Sequence, residues 1–255
     1  MSTSTSEIYI AEDIQVLSRR AAEVIAAAIV VTLKTMPVFT MVLSGGSTPR
    51  SLYSLLAADD AFKDQIPWEN VHFFWGDERH VPPDHNQSNY RMTNETMLSK
   101  LAIPCENIHR IRSEISDAGQ AAELYEKDIS GFFQLEAGQL PRFDCVLLGM
   151  GSDGHTASLF PQTEALDERE RLVVANRVEK FQTHRITMTL PVLNNAESII
   201  FLVSGRNKAE TLKTVLQGKK RSQPFPAQMI EPVHGKLLWI IDRAAAKELN
   251  LASQK

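Results

Sequence analysis

Apolar residues are spaced along this chain in two alternating patterns, one helical and one of strand length. From Ala11 to Thr35 they recur at helical spacing, which predicts a long amphipathic first helix. Pro37 ends that helix, and Val38 to Leu43 is a continuous apolar run with the length of a strand buried on both faces. Two more such runs lie at Val71–Trp75 and Phe143–Leu148, and each leads into a polar loop that contains glycine.

The same alternation continues to the end of the chain. Helices are predicted from about Ser88 to Leu101, from about Ala118 to Leu135, at 207–217 and at 243–250, and later strands at 172–175, 185–190, 198–203 and 236–241. Strands that alternate with helices predict an open, mostly parallel α/β sheet flanked by helices on both faces, of Rossmann-like type. Because there is no linker, repeat or low-complexity tract, we predict one domain over residues 8–250 after a flexible N-terminus at 1–7.

Composition and charge exclude several classes of protein. The chain has 255 residues, 43% hydrophobic and 23% charged, and a formal net charge of −4, which gives no basic footprint for nucleic acid or an anionic membrane. The most apolar run, Val24–Leu33, has about half the length of a membrane-spanning helix. The Ser/Thr-rich start of the sequence does not have the pattern of a secretory signal peptide. Cys105 and Cys145 lack zinc-site spacing, so we expect a cytoplasmic protein with free thiols.

The loop after the first apolar strand has the features of a phosphate site. It contains Ser44, Gly45, Gly46 and Ser47 and leads directly into a predicted helix. Glycines let the backbone approach an anion, and the N–H groups and dipole of a helix N-terminus favour negative charge. No Gly-Lys-Ser/Thr follows, so the loop is not a Walker A motif. The alternative is an ordinary strand-to-helix turn, in which glycines and hydroxyls serve only the backbone.

A second glycine loop follows the strand at Phe143–Leu148. Its residues 149–154 formally match the dinucleotide pattern GxGxxG, but Asp153 and His155 lie where a pyrophosphate would need bare backbone. Asp153 is close enough in sequence to orient the imidazole of His155, and an oriented neutral imidazole is a good general base near neutral pH. The alternative is a histidine with a structural role only.

Charged residues stand at further strand ends. Asp77, Glu78 and Arg79 follow the strand at Val71–Trp75, where Arg79 could hold a phosphate or carboxylate through two parallel hydrogen bonds. The alternative is a surface ion pair at the start of a loop. Arg185 and Lys208 complete the cations, although each taken singly is typical of a solvated charge. The carboxyl ends of parallel strands meet at one edge of a sheet, so we expect these loops to form one pocket.

Five segments taken together carry a family resemblance: Leu43–Pro49, Trp75–Pro82, Ser88–Tyr90, Gly149–Pro161 and Ser204–Lys208. In this order they resemble the 6-phosphogluconolactonases of the glucosamine-6-phosphate isomerase/6-phosphogluconolactonase family, from about residue 8 to 250. The resemblance implies a glucosamine-6-phosphate deaminase-like fold and a cytosolic enzyme. It also implies hydrolysis of 6-phosphogluconolactone to 6-phosphogluconate in the oxidative pentose phosphate pathway.

These residues suggest a mechanism. Asp153 would orient His155, which would activate a water molecule as general base. Backbone N–H groups of the glycine loops or Arg79 would stabilise the oxyanion. The loop 44–47 would hold the phosphate together with Arg185 and Lys208. Asp77 belongs to the site as a partner of Arg79, a contact for sugar hydroxyls or an alternative base. We expect no metal, no cofactor and no partner except the small-molecule substrate, and the oligomeric state stays open.

Two other functions are compatible with parts of this pattern. The related deaminases carry Asn-Glu-Pro after their Asp-Gly-His element, and that glutamate helps to open the sugar ring. This chain has Leu159, Phe160 and Pro161 at those positions, and a phenyl ring cannot transfer a proton. A sugar-phosphate sensor could keep the phosphate loop without chemistry, but no DNA-binding extension or basic patch accompanies this domain.

Overall fold

A sheet of six parallel strands forms the centre of the computed structural model, which describes residues 6–218 and 223–250. In chain order these strands are β1 (Ser6–Ala11), β2 (Phe39–Leu43), β3 (Val71–Trp75), β5 (Cys145–Leu148), β8 (Ser198–Val203) and β9 (Lys236–Asp242). They lie side by side in the order β1-β9-β8-β5-β2-β3. Every residue of β2 and β5 is buried, so both faces of the sheet are covered at its middle.

A second, smaller sheet is antiparallel. It consists of β4 (Asp77–Arg79), β6 (Val173–Val178) and β7 (Thr183–Met188), in the order β4-β7-β6. Gly76 joins it to the central sheet, because its N–H donates to the carbonyl of Leu43 at 3.0 Å and its carbonyl accepts from the N–H of Met188 at 2.8 Å. The small sheet is therefore fixed beside the carboxyl ends of β2 and β3.

Seven α-helices are found in the described part of the chain: α1 (Ile14–Thr32), α2 (Ser47–Ala58), α3 (Asp60–Lys63), α4 (Asn89–Thr96), α5 (Ala118–Phe133), α6 (Leu190–Asn194) and α7 (Ala209–Gln217). Asp13, Ser88 and Asp117 cap α1, α4 and α5 by accepting a backbone N–H with a side-chain oxygen. None of the helices described is long and apolar enough to cross a membrane.

The fold class predicted from the sequence is confirmed, and the strand Val71–Trp75 has the predicted bounds. The prediction of a flexible segment at 1–7 is wrong for residues 6 and 7, since Ser6 and Glu7 pair with β9. Exposed and less exposed side chains alternate along most of this segment, as they do in an edge strand. The rest of the predicted flexible segment, residues 1–5, lies outside the described residues.

Two further predictions about elements are wrong, and one sheet was not predicted. The helix predicted at 243–250 is only a single 3-10 turn, Ala245–Glu248, after which the backbone is extended. The strand predicted at 185–190 ends two residues earlier, and α6 begins at Leu190. The small antiparallel sheet was not predicted, because its strand β4 is only three residues long and wholly charged. Its pairing depends on contacts with distant residues and not on a local apolar period.

Candidate active site

The loops that follow β2, β5 and β8 surround a cavity of about 310 Å³ at the carboxyl ends of the strands. Nine of the ten residues predicted for the site line it: Ser44, Gly45, Gly46, Ser47, Asp77, Arg79, His155, Arg185 and Lys208. The tenth, Asp153, does not line the cavity, but it is hydrogen-bonded to His155, which does. The prediction that these separate loops converge on one pocket is therefore confirmed.

The N-terminus of α2 opens into this pocket without a side-chain cap from any described residue. Gly46 precedes the helix with a φ of 109°, a conformation that glycine adopts without strain. A side chain at Gly45 would place its Cβ 1.9 Å from Oδ1 of Asn89, so any other residue there would displace the Asn89 side chain. Within the described residues, the buried Oγ of Ser44 has no hydrogen-bond partner. Unpaired donors at a helix N-terminus are suited to an anion.

The buried side chain of Tyr53 holds the loop before α2 in place by two hydrogen bonds. Its hydroxyl donates to the carbonyl of Ser44 at 2.9 Å and accepts the N–H of Ser44 at 3.0 Å. Burial raises the pKa of Tyr53 well above its usual value, so the phenol stays protonated and keeps both bonds. The position of the glycine loop is thus set by a rigid aromatic side chain in the core.

His155 forms a pair with Asp153 at the opposite wall of the pocket. Nδ1 of His155 is hydrogen-bonded to Oδ1 of Asp153, and Nζ of Lys180 donates to the other carboxylate oxygen at 3.1 Å. The bond from His155 holds the pKa of Asp153 well below its usual range, and Lys180 contributes to the same effect. Because the ionised carboxylate only accepts, Nδ1 donates the proton of this bond, and in the neutral form of the imidazole the lone pair is therefore on Nε2.

The residues around this pair hold the imidazole in place. A Cβ at Gly151 would lie 2.1 Å from Nδ1 of His155, so glycine is needed for the ring to pack against the loop. The ring of Phe160 stacks on the imidazole with centroids 4.2 Å apart, and Phe181 packs edge-on against Phe160 at 5.8 Å. The imidazole is thus sandwiched between a backbone turn and an aromatic ring.

Three cations lie along the pocket wall, and two of them face each other. Arg79 and Arg185 are directly opposite in the pairing of β4 with β7, where like charges repel. Arg79 donates to the carbonyl of Gln87 at 2.6 Å, whereas Nε and Nη1 of Arg185 are buried without a partner among the described residues. Burial lowers the pKa of Arg185 and of Lys208 from their usual values. A bound anion would accept from these buried donors of Arg185 and would offset the repulsion between the two arginines.

The two neighbouring carboxylates after β3 have separate roles. Asp77 lines the pocket, and one of its oxygens accepts from the hydroxyl of Ser158 at 2.6 Å. Glu78 is buried and accepts from the backbone N–H of Asn89 at 2.7 Å and of Tyr90 at 2.8 Å, at the start of α4. The carboxylate pair considered from the sequence is therefore divided, because only Asp77 lines the pocket.

Several residues of the pocket were not predicted. Asn89, Ser158, Phe160 and Phe181 line the cavity, and Lys180 reaches Asp153 from outside it. Asn89, Ser158 and Phe160 lie within the segments that carry the family resemblance, which was the available signal for them. Lys180 and Phe181 belong to no motif. No group of three metal-ligating side chains is found among the described residues.

Within the described residues, a parallel α/β sheet carries at its strand ends an uncapped helix N-terminus, several cations and a His–Asp pair, which is typical of an enzyme for a small anionic substrate. Comparison with known proteins gives the family. The model of the glucosamine-6-phosphate isomerases/6-phosphogluconolactonase family matches residues 12–239, and the chain belongs to this family.

Individual relatives agree with this assignment. A 6-phosphogluconolactonase of Synechocystis sp. is 41% identical over 235 residues, which cover 92% of this chain and 95% of the relative. The solved 6-phosphogluconolactonase of Trypanosoma cruzi is 30% identical, with a TM-score of 0.85 over 98% of both chains. A monomeric glucosamine-6-phosphate deaminase, 22% identical with a TM-score of 0.79 over 95% of this chain and 99% of its own, shares the fold. Within its family the chain falls with the 6-phosphogluconolactonases.

Proposed function

We propose that this chain hydrolyses 6-phosphogluconolactone to 6-phosphogluconate with His155 as the general base and without a metal ion. The observation that carries the proposal is the hydrogen bond between Nδ1 of His155 and Asp153 in a pocket that also holds unpaired anion-binding groups. The relatives act on a lactone with a phosphate at one end and an ester at the other. A pocket with separate basic and anion-binding regions suits such a substrate.

In this proposal the phosphate binds to the N-terminus of α2. The backbone N–H groups of Gly45, Gly46 and Ser47 and the hydroxyl of Ser44 donate to its oxygens, and Arg185 and Lys208 neutralise its charge. The phosphate is remote from the ester, so its binding energy serves to hold the lactone carbonyl in position. This separation lets the chain use charge for binding and the imidazole for chemistry.

The hydrolysis then proceeds by general base and general acid steps on the same imidazole. Nε2 of His155 takes a proton from water as the water oxygen bonds to the lactone carbonyl carbon. The tetrahedral intermediate collapses, the bond from that carbon to the ring oxygen breaks, and the imidazolium returns the proton to the departing oxygen. Asp153 stays ionised and stabilises the imidazolium. Base catalysis of this kind supplies a factor of about 10² to 10⁴ in rate.

Two further groups have assigned positions in this scheme. Backbone N–H groups of the glycine loops or the guanidinium of Arg79 stabilise the oxyanion. Asp77 is held by Ser158 through one oxygen, and Asn89 Nδ2 donates to its backbone carbonyl at 2.9 Å. A carboxylate fixed at the pocket wall is suited to accept from the sugar hydroxyls, which is the role that we assign to Asp77.

The related deaminase activity finds no support in the geometry. The residue at the position of the deaminase glutamate is Phe160, and its ring stacks on His155 at 4.2 Å. A hydrocarbon ring there shields the imidazole and has no proton to transfer. The proposal includes a place in the oxidative pentose phosphate pathway and a cytoplasmic location.

The test is proton release after addition of freshly generated 6-phosphogluconolactone, compared with the spontaneous background. We expect acceleration by the protein that EDTA does not reduce, and no ammonia from glucosamine 6-phosphate in a parallel assay. Loss of activity in EDTA that added metal restores would contradict the metal-free mechanism. Ammonia release would assign the chain to the deaminase side of the family.

A further inference from the structure

The connection between β6 and β7 reaches the active site from the small antiparallel sheet. It is a 3-10 turn, Glu179–Phe181, followed by Gln182 with a φ of 49°, and we call residues 179–182 the hairpin tip. The strands on either side pair up to the tip, from Val178 with Thr183 onward. No motif of the sequence pointed to this segment.

Two side chains of the hairpin tip contact the His–Asp pair by separate routes. Lys180 donates to Oδ2 of Asp153 at 3.1 Å, while Oδ1 of the same carboxylate is bonded to His155. Phe181 packs against Phe160, which itself stacks on the imidazole. The hairpin tip therefore contacts Asp153 directly and the imidazole of His155 through one intervening ring.

The same tip also contacts the anion-binding region. The guanidinium of Arg185 lies 5.4 Å from the ring centroid of Phe181, within the range of a cation–π interaction. Arg185 stands on β7, only a few residues after the tip. Lys208, which precedes α7, also interacts electrostatically with Asp153.

We propose that Lys180 is a positioning residue for the His–Asp pair, which holds the carboxylate of Asp153 in the rotamer that orients His155. A carboxylate bonded through one oxygen can rotate about its terminal torsion, and a second bond on the other oxygen removes that freedom. The inference rests on the proposed function, because it assigns to Lys180 a contribution to the same reaction. It adds a third side chain, from a different sheet, to the catalytic machinery.

The opposing interpretation is an ordinary surface ion pair. The side chain of Lys180 is 62% exposed, and exposed pairs contribute little to stability. Loss of Lys180 would change the free energy of unfolding little under either interpretation. Only a positioning residue would, when lost, change the kinetics and the tautomer of the His155 imidazole. The test has to measure those two properties.

The kinetic test compares three variants with the unmodified protein. Lys180→Met removes the charge and the donor, Lys180→Arg keeps both, and Lys127→Met removes an exposed lysine on α5 as a matched control. For Lys180→Met we expect kcat to fall about two- to fivefold with KM little changed, the factor that loss of one exposed ion pair gives. The acid limb of kcat/KM should move to higher pH, because a cation near the imidazolium has been removed.

Rescue by the conservative variant completes the kinetic test. Lys180→Arg should recover most of kcat and the original pH profile, and Lys127→Met should leave both unchanged. An unchanged kcat and pH profile in Lys180→Met would overturn the inference. So would an equal loss of kcat in Lys127→Met, because that loss would be a general effect of surface charge.

A second readout needs no substrate and so separates this inference from the proposed function. Nitrogen NMR of the His155 ring reports which ring nitrogen carries the proton. We expect the Nδ1–H form in the unmodified protein and a mixture of tautomers in Lys180→Met. If that change occurs in a protein that does not open the lactone, the positioning role stands and the proposed function fails. If the tautomer is the same in both proteins, Lys180 does not position the pair.

Discussion

The two ends of the pocket differ in how far the protein's own groups satisfy one another. At one end His155, Asp153 and Lys180 form a connected chain of hydrogen bonds, closed by the ring of Phe160. At the other end, within the described residues, Arg185 and Ser44 keep buried polar atoms without partners. The groups of the first region are paired in the folded protein, whereas the second region has buried donors, among the described residues, that a bound anion would satisfy.

This difference assigns separate tasks to the two regions. A catalytic group works best when its geometry exists before the reaction, because no reorganisation is then needed in the transition state. A binding region can instead keep unpaired donors and facing like charges, such as Arg79 and Arg185, and recover their free energy when an anion binds. The comparison predicts that substitutions at the two ends change different kinetic constants.

The largest effect is expected at the paired end. His155→Ala removes the proposed base, and we expect kcat to fall by about 10² to 10⁴ with little change in KM. The measurement is lactone hydrolysis at saturating substrate, with circular dichroism to confirm folding. His234→Ala, which removes an exposed histidine outside the pocket, is the matched control and should retain full activity. Near-normal turnover in His155→Ala would remove this residue from the role of base.

A smaller effect of the opposite kind is expected at the cationic end. Arg185→Met removes a guanidinium with free donors, and we expect KM to rise about 10- to 100-fold, the worth of one or two charge-assisted hydrogen bonds. Lys208→Met should also raise KM, but by a smaller factor. An ammonium is a point charge and cannot form the two parallel hydrogen bonds that a guanidinium forms with an anion. The value of kcat should stay within a few-fold.

Steady-state kinetics over a wide range of lactone concentrations measures both constants. Arg112→Met, at an exposed arginine outside the pocket, serves as the control and should change neither. If Arg185→Met lowers kcat as much as it raises KM, the separation of binding from chemistry along the pocket is wrong.

The sequence indicated these two ends because their groups lie in short loops next to buried strands. β2, β3 and β5 have continuous apolar runs, since both faces of the central sheet are covered, and the glycine loops begin where those runs end. Chain order and the strand-end rule were then enough to bring Ser44 and His155 to one pocket.

What could not be predicted depends on contacts between distant segments. Strand β4 has three charged residues and no apolar period, so its pairing follows only from the link of Gly76 to both sheets. The facing of Arg79 and Arg185 is a result of that pairing. The same holds for Lys180, because its contact with Asp153 spans 27 residues and no local pattern marks it.

The smallest expected effect is on the free energy of unfolding. Substitutions at the paired end should lower it, whereas substitutions at the cationic end should leave it unchanged or raise it. Asp153→Asn disrupts a hydrogen-bonded ion network that is partly exposed, so we expect the free energy of unfolding to fall by about 1 kcal/mol at neutral pH. The folded-state pKa of Asp153 is lowered, so this stabilisation is present above the unfolded carboxyl pKa of about 3.9 and is lost as pH falls below it. The difference between the two proteins should therefore shrink below about pH 4.

Arg185→Met should instead leave the free energy of unfolding unchanged or raise it by up to about 1 kcal/mol, because it removes buried unpaired donors and a repulsion with Arg79. Urea unfolding of both variants measures these changes, and inorganic phosphate provides the check. Phosphate should stabilise the unmodified protein and Asp153→Asn, but stabilise Arg185→Met much less, since a ligand that binds only the folded state adds free energy according to its affinity. Equal stabilisation of all three by phosphate would show that the anion binds elsewhere.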